Sequence, residues 1–310
     1  MSTSLMPASS SLAAFSVADY LSCLQVVMVN TTLPANIGSA ARAMHTMGLS
    51  RLTVVDPKLP IDETSVSHAA GGVDLLSSAL ITPTLESAIA DCQLVFAASS
   101  RSRHLPRPVA TPTQAAKIML DFIDAQRAIK QHSTSATLDN NDDSIKNANQ
   151  PNIAILFGRE DRGLTNEELA YADYHVQIEA NPAYPVLNVA SAVQVIASFI
   201  YAYAQSHSES IHYDNKDNVE FSSNPARENT VNQPTLNVHL RQQWDEPAIT
   251  QQQLQQLTQR TTNLMIQQGL ADSEHLKSLP SRLARLGSRI QLDQKEYQLL
   301  SALIAKLLKH

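Results

Sequence analysis

The stretch Leu33–Leu49, LPANIGSAARAMHTMGL, lies between two short apolar runs, LQVVMV (24–29) and LTVVD (52–56). This pattern predicts a strand, a turn, a helix and a second strand. The turn lacks the glycine arrays that cradle phosphates, since neither G-x-G-x-x-G nor G-x-x-x-x-G-K-[ST] is present. In their place stand Asn36, where a helix N-cap belongs, and Gly38, which lets another backbone approach closely. Gly48 occupies the position of a left-handed residue that ends a helix. Arg42 lies one turn beyond Gly38, in a helix whose other inner positions are Ala40, Ala41 and Met44. On residue type alone it is either a surface arginine or a functional cation.

Outward from this unit, CQLVFAAS (92–99), NIAILFG (152–158) and YHVQIE (174–179) also read as buried strands. Helical patterns fall at about 37–47, 62–78, 84–90, 113–128, 165–170 and 189–204. Continuous apolar strands interleaved with helices predict an α/β fold, a parallel sheet covered on both faces. Two polar segments interrupt it. QHSTSATLDNNDDSIKNANQ (131–150) buries too little to offset its ordering entropy and reads as a loop insertion. The similar segment 205–236 reads as a linker. Beyond it, TQQQLQQLTQRTTNLMIQQGL (250–270) and QKEYQLLSALIAKLLKH (294–310) carry apolar residues at three- and four-residue spacing, the mark of a small all-helical domain. The predicted division is a disordered extension over 1–20, an α/β domain over 21–204, a linker over 205–236 and helices over 237–310.

A chain of 310 residues with 43% hydrophobic content can build a core of this size. Its net charge of −6 argues against indiscriminate coating of nucleic acid, while leaving room for a local basic patch. No run approaches the roughly 18 apolar residues of a membrane helix, and no basic region precedes the weakly apolar N-terminus. A cytoplasmic protein without a membrane partner is expected. Cys23 and Cys92 sit in apolar surroundings and read as core residues, and His45, His68 and His104 form no metal spacing, so no metal is expected.

Two further stretches carry chemistry. In ILFGREDRGLTNEEL (155–169) a buried strand ends at Phe157, and Gly158 turns the chain at the strand's carboxyl end, where open α/β sheets bind ligands. Arg159, Glu160, Asp161 and Arg162 crowd the following turn, either as solvated ion pairs or as ligand contacts. Thr165 and Glu168 form a capping box. In IEANPAYPVLNVASAVQVIASFIYAY (178–203), a proline-bearing loop leads into a long helix with small residues at Ala190, Ala192 and Ala197. Near the C-terminus, Arg282, Arg285 and Arg289 form a stripe beside Leu283, Leu286 and Ile290. Read alone, that stripe is either a solvated helix face or a cationic contact surface.

Together and in this order, NIGSAAR, LFGREDRGL and YPVLNVASAVQ resemble the three signature motifs of the SpoU branch of the SPOUT superfamily of RNA 2′-O-methyltransferases. ANIGSAARAMHTMGL, FGREDRGLTNEEL and AASSRSR (97–103) are most similar to members acting on the ribose of tRNA nucleotide 32. The similarity covers most of residues 24–204 and extends to 279–308. It implies a SPOUT trefoil-knotted parallel sheet, one of the rare exceptions to unknotted chains, and an obligate homodimer with active sites at the subunit interface. The implied cofactor is S-adenosyl-L-methionine, held by Ser99, Ser100, Gly158, Glu160, Ile178, Leu187 and Asn188. Catalysis is implied for Arg42, supported by Asn36, and tRNA contact for Arg101, Arg103, Arg159 and Arg162, joined by the tail arginines. Because a guanidinium holds its proton at neutral pH, the role implied for Arg42 is to clamp a phosphate and orient the ribose. Glu160 stands either near the sulfonium or in a salt bridge to a neighbouring arginine. The chain departs from the pattern at Val186, where many relatives carry serine. Methylation of ribosomal RNA, and an inactive RNA-binding protein on the same scaffold, are the alternatives.

Overall fold

Apolar runs without alternation require a sheet buried on both faces. The computed structural model describes residues 15–99, 108–134, 150–213, 241, 244–273, 276 and 278–308. It builds the sheet from seven strands: β1 Leu24–Val29, β2 Arg51–Val55, β3 Leu80–Thr82, β4 Leu94–Ala98, β5 Val109–Ala110, β6 Ile153–Phe157 and β7 Tyr174–Val176. All pairings are parallel, in the order β3-β2-β1-β6-β4-β7-β5. Every residue of the central strands β1 and β6 is buried. The α/β expectation therefore holds. Strands β3 and β5, at the two edges of the sheet, went unpredicted because both are partly exposed and neither carries a continuous buried apolar run.

Helices α1 Val17–Ser22, α2 Pro34–Thr46, α3 Glu63–Ala69, α4 Val73–Ser77, α5 Leu85–Ile89, α6 Pro112–Thr134, α7 Asn166–Leu169 and α8 Val189–Tyr213 accompany the sheet. Each face has its own core. Ile37, Met44, Phe96, Met119 and Ile196 belong to one, and Val27, Ile89, Val95, Leu156 and Leu164 to the other. Both cysteines are free and buried, and burial pushes their thiols up to about 11 at Cys23 and about 12 at Cys92.

Several boundaries differ from the sequence expectation. Residues 15–20 are not a disordered extension: Ser16 caps α1, and Tyr20 and Leu21 are buried in the core. Residues 1–14 lie outside the described residues. The single helix expected over 62–78 is two, divided at Ala70–Gly72, where Ala70 has a φ of 45°. Helix α6 continues into the expected insertion as far as Thr134, and residues 135–149 lie outside the described residues. Helix α8 runs past residue 204 because Ala204 is buried and His207 is anchored, its Nε2 lying 2.7 Å from Asp124 Oδ2 and its ring stacked on Tyr203.

The C-terminal part is helical as expected: α9 Gln251–Gln267, α10 Leu279–Ile290 and α11 Gln294–Leu307 enclose Ile249, Leu254, Leu257, Leu292 and Ile304. It attaches to the sheet domain through Gln251 N, which donates to Cys92 O at 2.8 Å, and Ala248 N, which donates to Gln126 Oε1 at 2.8 Å. Cys92 precedes β4, so this contact lies at the amino ends of the strands. Among the described residues, no helix is long and apolar enough to cross a membrane, and no cluster of His, Cys, Asp and Glu is placed to hold a metal.

Candidate active site

Beyond β1 the chain passes through Thr31, Thr32 and Leu33 into α2, whose start is fixed by Pro34. Asn36 is not the N-cap. That position belongs to Leu33, which has no capping side chain, and Asn36 is buried in the first turn. The cap comes from elsewhere in the sequence. Glu160, in the loop after β6, accepts from Thr32 N (3.0 Å) and Thr32 Oγ1 (2.6 Å) at Oε2. At Oε1 it accepts from Asn36 Nδ2 (2.8 Å) and Leu33 N (3.3 Å). A carboxylate there also meets the positive end of the helix dipole.

Asn188, just ahead of α8, completes the chain of bonds. Its Nδ2 donates to Asn36 Oδ1 at 3.0 Å, while its Oδ1 accepts from Ala190 N at 2.9 Å and so caps α8. Three stretches far apart in sequence are thereby joined at one point. Burial pushes the Glu160 carboxyl up, but the hydrogen bonds from Thr32, Asn36 and backbone amides outweigh it and hold it below the ordinary carboxylate range. Of the two neighbours expected for Glu160, the arginines are taken by Asp161 instead. Arg159 Nε donates to Asp161 Oδ1 at 3.0 Å and Arg162 Nε to Asp161 Oδ2 at 3.1 Å.

Glycines permit this geometry. A methyl group on Gly158 would overlap the Gly163–Leu164 backbone, and one on Gly38 would overlap the Ser65 carbonyl of α3. Gly48 ends α2 with a φ of 70°, and the Thr165–Glu168 capping box is present.

At the carboxyl ends of β4, β6 and β7 opens a cleft of about 870 Å³, part of it open to solvent. Ser99, Gly158, Glu160, Ile178 and Leu187 line it together, with Arg159 and Arg162. Val186, at the departure from the motif, is half exposed on the same wall. Asn188 reaches this assembly through Asn36. Ser100, Arg101 and Arg103 lie outside the described residues. Arg42 does not line the cleft of its own chain: it is exposed, with His45 and Thr46, on the outer side of α2.

The tail arginines are also apart from the cleft. Helix α10 turns its small residues inward, Gly287 against Leu254 and Ser288 Oγ donating to Asp173, leaving Arg282 and Arg289 exposed and Arg285 partly so. Asp173 immediately precedes β7, which puts α10 at the amino ends of the strands, opposite the cleft. Thr32 was missed from sequence. Its only signal there is a hydroxyl pair, Thr31-Thr32, ahead of a helix that starts on proline without a capping side chain of its own.

A profile of the SpoU rRNA methylase family matches residues 23–198. Proteins described as tRNA (cytidine/uridine-2′-O-)-methyltransferase TrmJ, from Cronobacter sakazakii and Escherichia coli K12, are each 41% identical over 174 residues. That match takes in 56% of this chain and spans only 61% of the length of either relative. The crystal structure of TrmJ from Z. mobilis ZM4 superposes with a TM-score of 0.64 at 23% identity, covering 91% of this chain and 98% of that one, a similarity of fold.

Proposed function

The chain belongs to the SpoU rRNA methylase family, and on that premise we propose that it transfers a methyl group from S-adenosyl-L-methionine to a ribose 2′-hydroxyl of tRNA, at nucleotide 32 of the anticodon loop. The observation that carries the proposal is the bonded chain Asn188–Asn36–Glu160–Thr32, which draws all three motif stretches around one cleft. The relatives named for tRNA ribose methylation supply the substrate class.

The residues present suit the cofactor. Ile178, Val186 and Leu187 offer an apolar wall to an adenine face, and Ser99 and Gly158 offer polar backbone. When bound, S-adenosylmethionine supplies a methyl group activated by a sulfonium. The protein's share is alignment, because displacement needs the attacking hydroxyl opposite the leaving sulfur. Glu160, fully occupied as the cap of α2, positions that helix and is not a proton acceptor. Arg159 and Arg162 present guanidinium groups to substrate phosphates, with Arg101 and Arg103 in the same role. Arg42 clamps a phosphate and orients the ribose.

Since Arg42 is exposed and does not line its own cleft, the reading includes a homodimer in which one protomer's Arg42 completes its partner's site. It also includes the trefoil knot and a cytoplasmic location. The knot is supported by the strand order, with β7 entering between β4 and β5, which are adjacent in sequence.

The test is calorimetry with S-adenosylhomocysteine, followed by incubation with labelled S-adenosylmethionine and either tRNA transcripts or ribosomal RNA. Binding and label at the ribose of tRNA nucleotide 32 are expected. Label confined to ribosomal RNA replaces the substrate, and absence of cofactor binding leaves an inactive RNA-binding scaffold.

A further inference from the structure

One aromatic side chain next in sequence to the cleft wall takes no part in the arrangement above. Tyr184 is 78% exposed, more than any other large hydrophobic side chain among the described residues. A lone exposed ring on a loop is ordinarily unremarked surface. Tyr184 differs in how its backbone is held. Its N–H donates to Asn181 O at 2.9 Å, and Ala183 N donates to Asn181 Oδ1 at 3.0 Å, so the turn is closed by two bonds. Pro182 and Pro185 restrict the chain on either side. The residues that follow it, Pro185, Val186 and Leu187, are the cleft wall itself. The exposed ring therefore stands on a hydrogen-bonded turn that adjoins the cleft wall, and a tyrosine on a held backbone has only two side-chain torsions left to order.

We infer that Tyr184 forms a nucleobase subsite, a platform on which an unstacked RNA base rests beside the cleft. The inference depends on the proposed function and deepens it. A ribose hydroxyl brought to the cleft belongs to a nucleotide lifted from its stack, and the base of that nucleotide or its neighbour then needs a new π-face. Arg159 and Arg162, at the same cleft, have the complementary chemistry for the phosphates. Stacking does not read the Watson–Crick edge, so this subsite holds cytidine and uridine alike.

The test uses the full-length protein and tRNA transcripts carrying either pyrimidine at the target position, with Tyr184→Ala, Tyr184→Phe and Tyr184→Trp. The alanine variant is expected to raise KM for both transcripts about tenfold or more, with S-adenosylhomocysteine affinity within about twofold of the unmodified chain. Phenylalanine and tryptophan are expected to restore KM, because the π-face and not the hydroxyl carries the contact. An unchanged KM in Tyr184→Ala overturns the subsite, as does a phenylalanine variant as poor as alanine. So does a parallel loss of cofactor binding, which makes the ring part of the cleft wall, or a change in oligomer mass by light scattering, which makes it a subunit contact. The underlying reading fails separately, if the unsubstituted protein binds no S-adenosylhomocysteine or methylates no RNA.

Discussion

Helices α2 and α10 both bring arginines to the surface, and they are held in opposite ways. Most of α2 is buried, from Pro34 to Met44; Gly38 lies against the Ser65 carbonyl, and its N-terminus rests on Glu160. Helix α10 has no buried residue, and it leans on the rest of the molecule through small side chains. Leu286 and Ile290 are left about half exposed beside its arginines. On the proposed reading, the contrast separates two uses of the same cation. A guanidinium that must act on one atom needs a helix that cannot shift, because a misplacement of about 1 Å costs large factors in rate. Guanidinium groups that meet an RNA backbone need only be present in number, since phosphate contacts are additive and tolerant of sequence.

The largest effect should come from removing the fixed cation. Arg42→Ala is expected to lower methyl transfer at least about 100-fold, the scale of misplacing a reacting group by about 1 Å, while S-adenosylhomocysteine affinity stays within about twofold. Single-turnover kinetics beside calorimetry measure both. Equal loss of the two would make Arg42 a structural residue and erase the contrast with α10.

Next in size is the cap that fixes α2. In Glu160→Gln an amide NH₂ must face one of the donors that the carboxylate now accepts from Thr32, Leu33 and Asn36. The expected destabilisation at neutral pH is about 1–3 kcal/mol, the scale of hydrogen bonds to a charged group. The sign with pH follows from the depressed pKa. The carboxylate's contribution is complete above the ordinary value of 4.5 and is lost as pH falls through the lower folded value. Urea unfolding should therefore give a gap between variant and unsubstituted protein that is constant near neutrality and closes in acid. A gap independent of pH would assign the loss to shape and not to charge.

That cap also marks where sequence reading stopped. Gly38, Gly48, Gly158 and the Thr165–Glu168 box were legible because each answers a local demand for close approach, positive φ or a capped turn. Asn36 beside a helix start invites the local reading of an N-cap, and its actual partner, Glu160, is 124 residues away. Only the order of the three motifs hinted that these residues meet. The end of α8 failed for the same reason, since polar residues after Ala204 look like a linker until His207 finds Asp124 on α6. Side-chain bonds between distant elements leave no periodic trace.

The tail should respond more gently and with a different signature. Replacing Arg282, Arg285 and Arg289 together with alanine is expected to weaken tRNA binding without altering cofactor affinity. The slope of log Kd against log salt should fall by roughly 0.7–0.9 per lost phosphate contact. An unchanged slope would reduce the stripe to a solvated helix face.

The smallest effect sharpens the account of α2 from the side of its neighbour. After α3 the chain turns through Ala70, at φ 45° and ψ −116°, and then lays Gly72 against α2, where a Cβ would stand 2.8 Å from Ala41 O and 3.0 Å from Arg42 N. Only glycine adopts that backbone without strain, yet the turn is made by an exposed alanine. Ala70→Gly removes the strain at the loss of little packing, against which stands the larger entropy of glycine in the unfolded chain. The strain, on the order of 1–3 kcal/mol, exceeds that entropy, so a net stabilisation of about 1 kcal/mol is expected, read as a rise in Tm. Methyl transfer should be unchanged if Gly72 alone seats the turn against Arg42. A stabilised but slower enzyme would mean that the strained alanine itself presses α2 into position, which would extend the rigid support of Arg42 from the Glu160 cap to the α3–α4 turn.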